Sequence, residues 1–188
     1  MSVETLNNFS LISRLFGNLF YRAPTDPVLA NVFVWLQQKG LEQIWVLDTD
    51  MESKQAMANL QMPIDLPALE KEYHSLFSGE QAKVQRNIAA YGINVEEFIH
   101  FRQAQGMPEN ESAVDFGSVL LTASWIEDNV ESVMVQTALF TQFLLPCGSQ
   151  FLNKVENSAT LPFYRSLAIL CREILGAMAD ELEETENE

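Results

Sequence analysis

The sequence predicts an all-α protein: a multi-helix globular bundle arranged around one buried central helix. Three observations lead there. Apolar residues recur at three- and four-residue spacings along most of the chain, the period of a single helix face. No alternation of apolar and polar residues is long enough to build a sheet. The segment from Ser112 to Asn129, SAVDFGSVLLTASWIEDN, is apolar on more than one side: Phe116, Val119, Leu120, Ala123 and Ile126 form one line, Leu121 and Trp125 another. A helix patterned this way belongs inside other helices. Gly117, Ser118, Ala123 and Ser124 are small enough to let neighbours come close, and Ser112 followed three places later by Asp115 reads as a capping box that starts the helix.

The other elements follow in chain order. Asn7 or Asn8 is placed to cap a first helix with the stripe Phe9, Ile12, Leu15, Phe16, Leu19 and Phe20, ending before Pro24; Gly17 within it predicts a close crossing. Asp26-Pro27 starts a second helix through Leu29, Phe33, Val34 and Leu36 to a stop at Lys39-Gly40, so the two form an antiparallel pair. Leu41 to Leu47 resembles a strand but has no partner strand, which makes it a connector, and a helix then spans Thr49 to Leu60. After Pro63 and Pro67, Leu69, Tyr73, Leu76 and Phe77 mark one face of a helix ending at Ser78-Gly79. Glu80 to Tyr91 carries no legible period.

Asn94 caps a helix to Gln105, which Gly106-Met107-Pro108 stops before the central helix begins. Val130 to Leu145 is a strongly apolar helix halted by Pro146, and Phe151, Leu152 and Val155 sit on a short one. Thr160-Leu161-Pro162 opens a last long helix carrying Phe163, Leu167, Leu170, Ile174 and Leu175, and ELEETENE is an acidic solvated tail. At 188 residues the chain suits one domain, or a domain with a small lobe.

Composition narrows the partners. Lys and Arg number 11 against 26 Asp and Glu, a net charge of −15 that repels nucleic acid and attracts basic peptides. Cys147 and Cys171 stand far apart in no metal-like spacing, as expected of reduced thiols in the cytoplasm. The start, MSVETLNNFSLISRLFG, has an acid where a secretory leader needs positive charge, and no apolar run is long enough for stable membrane insertion. Glycine-rich phosphate loops, HExxH, CxxC and GxSxG are all absent. His74 and His100, the two histidines, each lie in a helical segment without the set of ligands that would make a metal site, so neither a metal nor a cofactor site is expected, and structural or surface roles are. Glu70, Glu72 and Glu96-Glu97 read as solvated faces rather than catalytic acid pairs, and Cys147 as a small buried side chain. The expectation is a protein that binds rather than catalyses.

Four stretches then resemble one family. They are FSLISRLFGNLFYRAPTDP (Phe9 to Pro27), EYHSLFSG (Glu72 to Gly79), DFGSVLLTASWIED (Asp115 to Asp128) and FLLPCGSQFLNKVENSATLPFYRSLA (Phe143 to Ala168). Together and in order they are similar to the TorD/DmsD family of redox-enzyme maturation chaperones, and ASWIED with the acidic DELEE ending looks most like its YcdY-type branch. The resemblance implies a TorD-like, all-helical cytoplasmic chaperone with a larger N-terminal helical lobe, over 1–106, and a smaller C-terminal helical part with the acidic tail, over 107–188, or the two as one continuous domain. Its implied partner is a client molybdenum-cofactor redox enzyme, bound through its twin-arginine leader peptide or its apo-enzyme surface; a non-exported cytoplasmic metalloenzyme is the alternative client.

Carried over by position, Tyr21, Tyr73, Leu76 and Phe77 match the family's leader groove. Glu72 adds charge beside the aromatic row, and Asp115 falls next to the place of the family's acid. From the residues alone the Tyr-x-x-Leu-Phe stripe reads as a core stripe, and Asp115 as a capping acid. Val114-Asp115 stands where the family carries Asp-His, VQRNIAAYG replaces its proline-rich segment, and Pro146-Cys147 replaces its Pro-Trp. The chain is expected as a monomer or a lobe-exchanged dimer.

Overall fold

Two glycines set the spacing at the centre of the molecule. In the computed structural model, which describes residues 3–45, 47 and 49–188, α1 (Val3–Tyr21) lies against α7 (Phe116–Asn129). Ser10 Oγ meets Ser124 Oγ at 2.9 Å, Ser13 Oγ donates to the Leu120 carbonyl at 2.7 Å, and Gly17 faces Gly117. Positions that rise along α1 fall along α7, so the pair is antiparallel. A Cβ on Gly17 would stand 2.8 Å from the Gly117 carbonyl oxygen, and one on Gly117 would stand 2.7 Å from that of Gly17. Backbone touches backbone there, as the small residues in both predicted helices required.

The remaining helices wrap this pair: α2 (Pro27–Gln37), α3 (Gly40–Ile44), α4 (Met51–Leu60), α5 (Leu66–Phe77), α6 (Val95–Ala104), α8 (Val133–Leu139), α9 (Leu145–Ser158) and α10 (Pro162–Glu186). Asp26, Asp50, Asp65 and Asn94 cap α2, α4, α5 and α6 through their side-chain oxygens. α10 packs on α4 and α9. The aromatic heart is Phe20, Phe77, Phe116 and Phe151: the Phe116 and Phe151 rings stack at 4.1 Å, and Phe20 meets Phe151 edge-on at 5.3 Å. Among the described residues there is no strand, and one isolated bridge, Asn87 to Asp115, is the sole β-type pairing. Both cysteines are free and buried, and burial pushes Cys147 up to about 12 and Cys171 well above the ordinary thiol range.

Several boundaries differ from the sequence-based expectation. The first helix begins at Val3, so Asn8 lies within it and its Nδ2 donates to the Ile44 carbonyl at 3.1 Å rather than capping; Met1 and Ser2 lie outside the described residues. The central helix starts at Phe116 with Asp115 itself as N-cap, accepting from Gly117 N at 2.9 Å, and Ser112 sits in the preceding turn instead of closing a capping box. The connector after Lys39 contains the short helix α3; Val46, within the same stretch, lies outside the described residues. Gly40 is needed there because the Trp35 ring would lie 2.1 Å from a Cβ.

Pro146 does not halt its helix. α8 widens into a π segment, Phe140–Leu144, where Leu145 N reaches back to the Phe140 carbonyl, and α9 continues from it. The wider turn absorbs the proline's missing N–H and its crowding of the preceding turn. The acidic ending is also helical, since α10 runs to Glu186 with Leu182 buried.

The glycine crossing sets two opposed expectations for urea unfolding. Gly117→Ala lowers stability by about 1–3 kcal/mol, because the added methyl must push two backbones apart. Gly176→Ala, where nothing lies within 4 Å of the added carbon, raises it by up to about 1 kcal/mol through helix propensity.

Candidate functional site

The segment without a legible period supplies the group around which three of the six predicted site residues gather. After α5, positive φ at Gly79 turns the chain back, Val84 N bonds the Leu76 carbonyl at 2.8 Å, and Phe116 N bonds the Arg86 carbonyl at 2.9 Å. Arg86 is thereby laid across the ends of α1, α5 and α7. Its Nε pairs with Asp115 Oδ2 at 2.9 Å, and its Nη1 donates to the Tyr73 hydroxyl and, at 3.4 Å, to the Tyr21 carbonyl. The Tyr73 hydroxyl in turn donates to the same carbonyl at 2.9 Å. Tyr73 and Asp115 are buried, while Tyr21 and Arg86 are half-buried and form the surface above them. The Arg22 guanidinium lies 5.7 Å from the centre of the Tyr21 ring and pairs with Asp26.

Burial sets the electrostatics. It raises the Asp115 carboxyl to about 6, against the opposing pull of Arg86 and the Gly117 and Ser118 N–H groups. Burial likewise raises the Tyr73 phenol, with Arg86 again opposing. Beside the cluster, Glu70 accepts from Thr25 N at 3.0 Å and pairs with His74 at 2.9 Å, an exposed surface arrangement. Tyr21, Tyr73, Arg86 and Asp115 offer an aromatic surface and charge-assisted hydrogen bonds, which suit recognition of a polypeptide. Among the described residues, no group of three His, Cys, Asp or Glu side chains could hold a metal ion.

The other three predicted residues lie elsewhere. Leu76 and Phe77 are inside the aromatic core, Phe77 stacked with Phe151 at 6.0 Å. Glu72 faces α10: its carboxylate accepts from Thr160 N and Leu161 N, both at 2.9 Å, and from Thr160 Oγ1 at 2.7 Å. It satisfies N–H groups at a helix start that has no side-chain cap of its own. Arg86 escaped the sequence reading because its segment has no helical pattern; its one sequence mark is that it is a cation in a strongly acidic chain.

Two measurements follow. Glu72→Ala strips the acceptor from two backbone N–H groups and costs about 2–3 kcal/mol in urea unfolding. Asp115, raised above its unfolded value of 3.8, holds its proton more tightly when folded. Its favourable contribution is therefore present below pH 3.8 and disappears as pH rises through about 6. The stability of the natural chain relative to Asp115→Asn falls across that window and is flat above it, and the carboxyl carbon of Asp115 titrates near 6 by NMR.

No family model matches the chain. Individual relatives do. An uncharacterised protein of Haemophilus influenzae is 62% identical over 184 residues, covering 98% of this chain and 100% of that protein. The chaperone protein YcdY of Escherichia coli is 37% identical over 189 residues, covering 97% and 100%. The Tat proofreading chaperone DmsD of Salmonella typhimurium is 26% identical over 180 residues, covering 88% and 86%. With near full-length similarity to YcdY and the all-helical fold described above, the chain belongs to the TorD/DmsD family of redox-enzyme maturation chaperones, in its YcdY-like branch.

Proposed function

We propose that the protein is a cytoplasmic chaperone that holds a redox enzyme, by its twin-arginine leader or its apo-enzyme surface, until a molybdenum cofactor is loaded, without making or breaking bonds itself. The observation that carries this reading is the similarity to YcdY over the whole chain, joined by the weaker one to DmsD, which is named for proofreading of Tat substrates. The client meets the half-buried surface of Tyr21 and Arg86, which Tyr73 and Asp115 hold in place from below. Glu72, Leu76 and Phe77 support that surface from inside, through the α10 start and the aromatic core. Among the described residues no helix is long and apolar enough to cross a membrane.

One feature favours a second reading, in which the client is an enzyme that is never exported. Arg86 stands over Asp115, and a cation at that position repels the two arginines of a leader.

Titration of the purified chain against a panel of twin-arginine leaders and cofactor-free redox enzymes, by calorimetry, separates these readings. Saturable binding to a leader supports the first, and binding to a folded apo-enzyme alone supports the second. Tyr21→Ala weakens either interaction about tenfold or more, whereas Arg86→Ala weakens binding of an apo-enzyme and strengthens binding of a leader, with the helical spectrum unchanged in both. Absence of saturable binding to every member of the panel overturns the proposal.

A further inference from the structure

A cavity of about 570 Å³ opens where the end of α2, the short helix α3 and one face of α4 meet, and it shares no residue with the Tyr21 and Arg86 cluster. Its wall is apolar at Trp45 and Met57, both buried. Lys39 and Lys54 also line it, against one described acid, Glu42, a positive balance that runs against a chain of 11 cations and 26 acids. Neither lysine takes part in a described ion pair.

Two surface lysines alone would be a solvated patch. A second observation concerns Gln61, which lines the same cavity and is only 8% exposed. Its Oε1 accepts from Glu42 N at 3.2 Å, which sets the orientation of the amide, because a backbone N–H must meet the oxygen. Its Nε2 donates to no described residue, and it is not among the unpaired side-chain atoms that are closed off from solvent, so it keeps accessible surface. A largely buried side chain thus turns an N–H donor group toward the cavity with no acceptor to meet it. A third observation is in the backbone. Lys39 is held in the left-handed region, φ 61°, which costs a lysine energy that a glycine would be spared. Residues held in this way cluster where side chains meet ligands.

Unmet donors, a positive balance and an apolar wall together suit an anion carried on an apolar body, and the volume is that of a small-molecule site. The lining also selects the charge. One carboxylate neutralises the excess of a single cation, whereas a phosphate ester, at roughly −1.5 to −2 near pH 7, overshoots it in a chain that already carries −15.

We propose that this cavity binds a monocarboxylate with an apolar body, its carboxylate accepting from Gln61 Nε2 and paired with Lys39 and Lys54, its body against Trp45 and Met57. A free small acid and the C-terminal carboxyl of a polypeptide present this same chemistry. The inference does not rest on the chaperone reading.

The test is an NMR titration of the full chain with phenylbutyrate, following the side-chain amide of Gln61 and the indole N–H of Trp45. Both resonances shift saturably, and phenylbutyramide, which lacks the charge, binds about tenfold or more weakly. Lys39→Asn with Lys54→Gln weakens binding of the acid roughly fivefold or more. Asparagine tolerates the left-handed backbone and Lys54 is exposed, so this variant keeps the fold. Gln61→Glu retains an acceptor for Glu42 N but removes the donor, and weakens binding about tenfold or more by the Trp45 signal. If a variant loses the backbone spectrum of the natural chain, the natural chain in roughly tenfold higher salt provides the comparison, and the acid must then bind more weakly.

No saturable shift, equal binding of the amide, or binding indifferent to the substitutions and to salt overturns the cavity assignment. Phenyl phosphate binding more tightly than phenylbutyrate overturns the monocarboxylate class. N-acetyl-leucyl-phenylalanine with a free carboxyl separates the two sources: tighter binding than phenylbutyrate supports a chain end, and weaker binding supports a free acid. Failure here leaves the chaperone reading standing, and failure to bind any client leaves the cavity, since the two surfaces have no residue in common.

Discussion

The backbone contact between Gly17 and Gly117 is the constraint on which the rest of the molecule depends. It brings α1 and α7 close enough for Ser10 and Ser13 to bond directly to α7, burying polar groups that would otherwise be costly. It also places Phe20 and Phe116 side by side, so that one ring from α9, Phe151, closes on both. The aromatic core and the polar cluster thus share one origin. Tyr21 ends α1 and Asp115 caps α7, both within a turn or so of the glycine contact, and Arg86 bridges the two ends.

That geometry explains how the proposed recognition surface is held without being loose. Tyr73 and Asp115 lie buried under Tyr21 and Arg86 and are hydrogen-bonded to them, so the half-exposed groups are fixed before any client arrives. Pre-organisation of this kind reduces the ordering cost of association. Asp115 carries two jobs at once, helix cap and counter-ion, and its raised proton affinity follows from burial for both.

Much of the fold was legible from residues alone. The stripe from Phe9 to Phe20, the Asp26-Pro27 and Asn94 starts, and the small residues of α1 and α7 each translate directly into helix faces, caps and a close crossing. The misreadings have a common cause. Local rules weigh the missing N–H of Pro146 and predict a stop, but packing on α10 and the widened turn before it keep the helix going. Gly40 to Ile44 became a helix although it is too short to declare itself by period. The resemblance names Tyr21, Tyr73 and Asp115 as expected site residues, and Arg86 joins them only in the structure, since a loop residue acquires its partners only when distant helix ends assemble around it.

By itself, the order of residues determined the all-helical class, the burial of the segment from Phe116 to Ile126, the helix starts at Asp26 and Asn94 and a close crossing at Gly17, because each depends on spacing within a few residues or on side-chain size. Tertiary structure alone decided that Glu72 serves the start of α10 rather than a groove, that Leu76 and Phe77 face inward, and that Arg86 joins Asp115. These are contacts between residues far apart in the chain, and nothing in local propensity encodes which of several buried carboxylates will meet which cation or helix end once the helices close.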